Sequence, residues 1–161
     1  MQRPVLTYPN PLLKRVCDPP PAEVVDRIAA DLIDTMGAHP GCVGLAAPQI
    51  GEAFRIAVVD VRRHLLTSSS SGLLVMVNPV ISERSGSHLA REGCLSLPDV
   101  TADVERATHI VMRQDRDESL WSEGFEARAI QHELDHLDGV LILDRIASVH
   151  ALHQRKTYTS R

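Results

Sequence analysis

Apolar and polar positions alternate along this chain with two distinct periods. Residues 22 to 36, AEVVDRIAADLIDTM, set Val25, Ile28, Ala29, Leu32 and Met36 on one stripe and leave Asp26, Asp31 and Asp34 off it, which predicts an amphipathic helix. Gly37 and the following AHPG supply its stop. RIAVVDV at 55–61 and LLVMVNPVI at 73–81 are short β-branched runs and read as strands, with LTSSSSG between them expected to be a mobile loop. HIVMRQD at 109–115 is a further strand candidate. Helical spacing returns in GFEARAIQHELDHLDG, where Phe125, Ile130, Leu134 and Leu137 are the apolar positions and Gly139 the stop signal. The strands precede this second helix without alternating with helices. That order predicts an α+β fold with antiparallel sheets packed around a central helix, rather than a parallel βαβ stack.

Length and charge narrow the classes. With 161 residues, no repeat and no linker, the chain reads as one domain, residues 1–161, large enough to bury a real core. Aromatics make up only 3%, so aliphatic side chains must fill that core. A formal net charge of −4 argues against a protein that grips nucleic acid through a basic face. No apolar run approaches the ~18 residues of a membrane span, and MQRPVLTYPNP has no apolar leader pattern, so the expected address is cytoplasmic. Cys17, Cys42 and Cys94 are odd in number and irregularly spaced, which disfavours a disulfide framework and leaves a thiol free to bind metal.

The second helix carries chemistry. In QHELDHLDG, His132 and His136 stand four residues apart and so share a helical face, with Glu133 beside them. Two imidazoles can hold one metal ion, and the third ligand names the site. Cys94, in REGCLSLPDV, is one candidate, and Asp99 and Asp144 compete with it; spacing alone does not choose. Three protein ligands would leave a fourth position open, the mark of a catalytic and not a structural metal site.

Three separated blocks, GCVGLAAPQ at 41–49, EGCLS at 92–96 and QHELDH at 131–136, resemble those of the peptide deformylases in kind and in order, and the likeness runs from VLTYPNPLL through MVNPVI to GVLILDRI. The resemblance implies that Cys94, His132 and His136 are the metal ligands and Glu133 the general base. It makes the Gln49 side chain and the Leu95 N–H the oxyanion donors. The implied metal is one divalent ion, iron(II) foremost, with zinc, nickel or cobalt as alternative occupants, since a thiolate ligand widens the choice. Implied substrates are nascent N-formylmethionyl polypeptides, met in transient contact with the ribosome. Glu92 is expected to pair with Arg106 and orient the ligands rather than react. Phe125, Arg128 and Ala129 precede His132 by seven, four and three residues, and with Val43 they are expected to line the methionine pocket. Gly44 and Gly93 are placed to pair with the substrate backbone as an added strand.

Several positions depart from the family pattern. Cys42 stands where many members have glycine, and Thr101 where some have a basic residue touching substrate. Only ESLWSE separates DRD from Gly124, a short hairpin expected to leave Trp121 partly exposed. The basic end HQRKTYTSR reads as a solvated tail rather than a docking element.

Overall fold

A computed structural model describes residues 1–115 and 118–155. Among the described residues nine strands and two long helices follow one another as α1 (Ala22–Gly37), β1 (Gly44–Ala46), β2 (Ile56–Val59), β3 (Leu74–Val77), β4 (Val80–Ser85), β5 (His88–Cys94), β6 (Leu97–Arg106), β7 (His109–Gln114), β8 (Glu118–Glu123), α2 (Gly124–Leu137) and β9 (Leu152–Gln154), with a single-turn helix α3 (Ile142–Arg145) before β9. The strands form three antiparallel sheets in the orders β1-β2-β3, β4-β7-β8 and β5-β6-β9. This is the expected α+β arrangement, with α2 at its centre.

Helix α1 follows its apolar stripe: Ile28 and Leu32 are fully buried against Leu45, Ile56 and Val58. Asp31, expected off the stripe, is buried as well, where Arg3 Nη1 reaches its carboxylate at 3.0 Å. The run at 73–81 is two strands, not one. Asn78 takes φ +50° between β3 and β4, and the chain there leaves one sheet for another. Asparagine tolerates this left-handed backbone better than most residues, so the break falls where the sequence supplies one.

Helix α2 carries many polar residues, yet it is buried nearly all round: Glu126, Arg128, Gln131, Glu133, Asp135 and His136 are covered together with Ala127, Ile130, Leu134 and Leu137. Its apolar side packs into a cluster with Ala57, Val59, Met76, Ile110 and Met112. Its polar side is accommodated by hydrogen bonds, since a buried polar group without a partner costs about 1–3 kcal/mol. Gln131 brackets Ala107, accepting from its N–H at 3.1 Å and donating to its carbonyl at 2.9 Å. Glu126 accepts from the Ser71 N–H and hydroxyl and from the Ser122 hydroxyl, at 2.6, 2.9 and 2.8 Å. The serine-rich loop, expected to be mobile, is thereby tied to the start of the central helix.

The part of HQRKTYTSR that is described is not a free tail: His153 and Gln154 belong to β9, which pairs with β6 through Val100–Ala102. Trp121 is 58% exposed, as the short hairpin suggested, and lies beside the His109 ring. Among the described residues no helix is long and apolar enough to cross a membrane.

Gly139 follows the end of α2 at φ +70°, where an added Cβ would come within 2.6 Å of the Lys14 carbonyl oxygen. Both the conformation and the contact require glycine. Gly139→Ala is expected to lower unfolding free energy by about 1–3 kcal/mol, read as a lower urea midpoint. A midpoint equal to that of the parent would show that this crossing is not tightly packed.

Candidate metal centre and cavity

Two elements converge on the candidate metal centre. Strand β5 ends at Cys94, and the two-residue turn Leu95-Ser96 leads into β6. Along β5, Ala90, Glu92 and Cys94 face inward while Leu89, Arg91 and Gly93 face outward, so strand alternation delivers both Glu92 and Cys94 to α2. Helix α2 presents His132 and His136 on the facing side. Ligand atoms of Cys94, His132 and His136 all lie within 4.8 Å of one another, with Cys94 Sγ 3.3 Å from His136 Nε2. Asp99 and Asp144 do not join this group; Asp144 instead caps α3 through the Leu141 N–H and pairs with Lys14.

One thiolate and two imidazoles in a buried cluster fit a divalent transition metal. Burial alone would raise the Cys94 pKa, but the charges and hydrogen bonds of His136 and His132 outweigh it and hold the thiol well below its ordinary range. His132 Nδ1 donates to Glu92 Oε2 at 2.9 Å, which leaves Nε2 as the nitrogen with a free lone pair. Glu92 is in turn held by Arg106 through two bonds of 3.0 Å and by Arg128 Nη1 at 2.6 Å. Burial pushes Glu92 toward neutrality, yet hydrogen bonds from His132 and Arg106 prevail and keep it ionised far below the usual carboxylate range.

Glu133 behaves oppositely. It is 4% exposed and its Oε2 has no hydrogen-bond partner among the described residues. Burial raises its pKa to about 7, against the pull of His132 and His136. Gly44 lies against it so closely that an added Cβ would collide with Glu133 Oε1, so the glycine is what lets β1 approach the carboxylate. Across the site, Gln49 Oε1 accepts from the Ala46 N–H at 2.9 Å, which turns its Nε2 toward Ser96 Oγ (3.1 Å) and Cys94 Sγ (3.6 Å).

A cavity of about 420 Å³ opens beside these groups, bordered by Val43, Gly44, Gln49, Glu92, Gly93, Cys94, Leu95, Phe125, Arg128, Ala129, His132 and Glu133. The structure thus brings together the residues singled out from the sequence, with Arg106 behind them. Arg128 borders the cavity as expected, and its guanidinium is committed to Glu92, to the Val104 carbonyl (3.0 Å) and to the His88 carbonyl (2.6 Å). That leaves it a brace for the ligand shell and not a free group for a ligand in the cavity. His64, Leu66, Arg91 and Arg155 also border the cavity, and His64 stacks on Phe125 with ring centroids 4.1 Å apart. No spacing rule pointed to them: His64 and Leu66 arrive from a loop, Arg155 from far along the chain, and Arg91 from the outward side of β5. Cys42, at the rim, has its thiol pushed up to about 12 by burial and by the Glu133 charge.

The Glu92 bond to His132 sets the prediction for this centre. Glu92→Gln should weaken metal retention about 10–100-fold in chelator competition while leaving the fold intact by circular dichroism. Retention equal to the parent's would mean that the carboxylate does not orient His132.

The chain as a whole is similar to known proteins. A family profile described as polypeptide deformylase matches residues 2–151. The peptide deformylase of Dictyoglomus thermophilum is 48% identical over 127 residues, which are 76% of this chain and 77% of that one. Among solved structures, a peptide deformylase from Legionella pneumophila aligns with a TM-score of 0.82 at 32% identity, covering 92% of this chain and 88% of its own. The class I type b peptide deformylase of Acinetobacter baumannii, solved with Met-Ala-Ser bound, aligns with a TM-score of 0.78 at 34% identity, covering 91% and 99%. With sequence and fold matched over nearly the whole length, the chain belongs to the polypeptide deformylase family.

Proposed function

We propose that this enzyme removes the formyl group from the N-terminal formyl-methionine of newly made polypeptides, using a divalent metal held by Cys94, His132 and His136. The observation that carries the proposal is Glu133: a buried carboxylate with an unpartnered oxygen, beside the Cys-His-His cluster and open to the cavity. Iron(II) is the proposed ion, and zinc, nickel or cobalt suit the same donors. Bound there, the metal supplies a water acidic enough to attack at neutral pH.

The chain's own residues do the rest. Glu133 takes the proton of the attacking water and delivers it to the leaving nitrogen, a role suited to a carboxylate whose pKa burial has moved to about 7. The water oxygen bonds to the formyl carbon, the C–N bond breaks, and formate and a free α-amine leave. Gln49 Nε2 and the Leu95 N–H act as donors to the oxygen that gains charge in the tetrahedral species. Gln49 is ready for this because the Ala46 N–H holds its carbonyl end.

Substrate fit follows from the cavity. Val43, Phe125 and Ala129 give an apolar wall suited to the methionine side chain, and the relative from Acinetobacter baumannii was solved with a peptide that begins with methionine. Gly44 and Gly93 lie on β1 and β5, each at the edge of its sheet, so both border the cavity on strands with a free side for an added peptide backbone. The chain is read as one catalytic domain that meets its substrates as they leave the ribosome.

Protein purified anaerobically with iron(II) should release formate from formyl-Met-Ala, and Glu133→Ala should abolish release while still binding one metal per chain. Metal-loaded parent protein that yields no formate would defeat the proposal. Gln49→Leu is expected to lower kcat by ~10²–10³, the usual loss for one oxyanion donor. An unaltered kcat would remove Gln49 from that role.

A further inference from the structure

On one face of the β5-β6-β9 sheet, register places Arg91 opposite Asp103, and Gly93 opposite Thr101, which in turn faces His153. Arg91 pairs with Asp103 at 2.9 Å, and His153 Nε2 meets the same carboxylate at 2.8 Å. The next lane is almost empty, because Gly93 has no side chain and Thr101 has a short one. Arg155 uses it. Its backbone N–H donates to the Asp99 carbonyl at 2.8 Å, just past β9, and its guanidinium reaches over β6 until Nη2 lies on Gly93, where an added Cβ would collide with it. That position is on the cavity border, one residue along β5 from Cys94.

The charges around the cavity are unevenly matched. Arg91 is paired with Asp103 and Arg128 with Glu92, whereas Arg155 has no carboxylate partner among the described residues. Glu92 already receives Arg106, Arg128 and His132 and cannot serve it. A positive group at the border of a cavity, with no carboxylate partner among the described residues, favours a negative one on whatever enters.

Resting on the deformylase reading, we propose that Arg155 is a specificity residue that selects polypeptides with an aspartate or glutamate at the second or third position. A peptide that leaves the metal centre along β5 advances about 3.3–3.4 Å per residue, so the residues next after methionine pass beneath the guanidinium.

The test uses full-length, iron-loaded enzyme and C-terminally amidated formyl-Met-Glu-Ser, formyl-Met-Lys-Ser, formyl-Met-Ala-Glu and formyl-Met-Ala-Lys, with formyl-Met-Ala-Ser as the reference for each variant. Amidation removes the terminal carboxylate that would otherwise mimic the side chain. The acidic peptide of at least one pair should exceed its lysine counterpart in kcat/KM by about two- to fivefold at low salt, with the ratio shrinking as salt is added. Arg155→Ala should bring that ratio near one, Arg155→Glu should invert it, and Arg155→Lys should keep its direction. Equal ratios in parent and Arg155→Ala, or a uniform drop for all peptides, would overturn the proposal and leave the deformylase reading standing. Absence of formate from every peptide would overturn both.

Discussion

Glu92 and Arg106 form the pair on which the centre depends. Arg106 grips both oxygens of Glu92 and also reaches Asp135 at 2.5 Å, while Asp135 takes two further bonds from Arg145. Glu92 passes the constraint to His132. Strand β6, helix α2 and the segment after it are thus locked to β5 by one continuous set of charges. Removing one partner of such a buried pair would strand the other in the interior, at a cost of about 3–5 kcal/mol. The network therefore does two things together: it lets a polar helix be buried, and it fixes the imidazole that faces Cys94.

Around that network the packing is aliphatic. Cys94 sits in a cluster with Leu97, Ala102, Val104, Leu141 and Ile142, so the thiolate has an apolar shell on one side and imidazoles on the other. Dryness strengthens each remaining electrostatic contact. It also explains why two glutamates about the same centre hold opposite protonation tendencies. Glu92, with two arginines and a histidine on it, stays ionised; Glu133, equally buried but unpaired at Oε2, is raised to about 7. The two carboxylates differ chiefly in partners, and their partners do most to decide which one can exchange a proton near neutrality.

Much of this was legible beforehand because it is local. The stripe of α1, the strand at 109–114 and the His-Glu-x-x-His face of α2 each follow from a period that the backbone imposes on neighbouring residues. Strands β5 and β6 were not legible as strands for an instructive reason. Their inward positions include Glu92 and Arg106, so the alternation that betrays a half-buried strand is broken by the very charges the centre requires. The contacts of the serine-rich loop and of β9 were not legible because nothing in their own composition reports a partner; Glu126 and β6 supply those partners from far away in sequence.

By itself, the sequence determined the fold class, the helix that bears two imidazoles and a carboxylate, and, through three blocks in order, the family. Those are matters of short-range periodicity and residue chemistry. The family blocks had already pointed to Cys94, but tertiary structure alone decided how near it stands to the histidines, and that Arg128, while bordering the cavity, commits its guanidinium to Glu92. It also decided that Arg155 crosses a sheet to reach Gly93. Each of these is a meeting of groups from separate elements, and only the packing of those elements sets the distance between them.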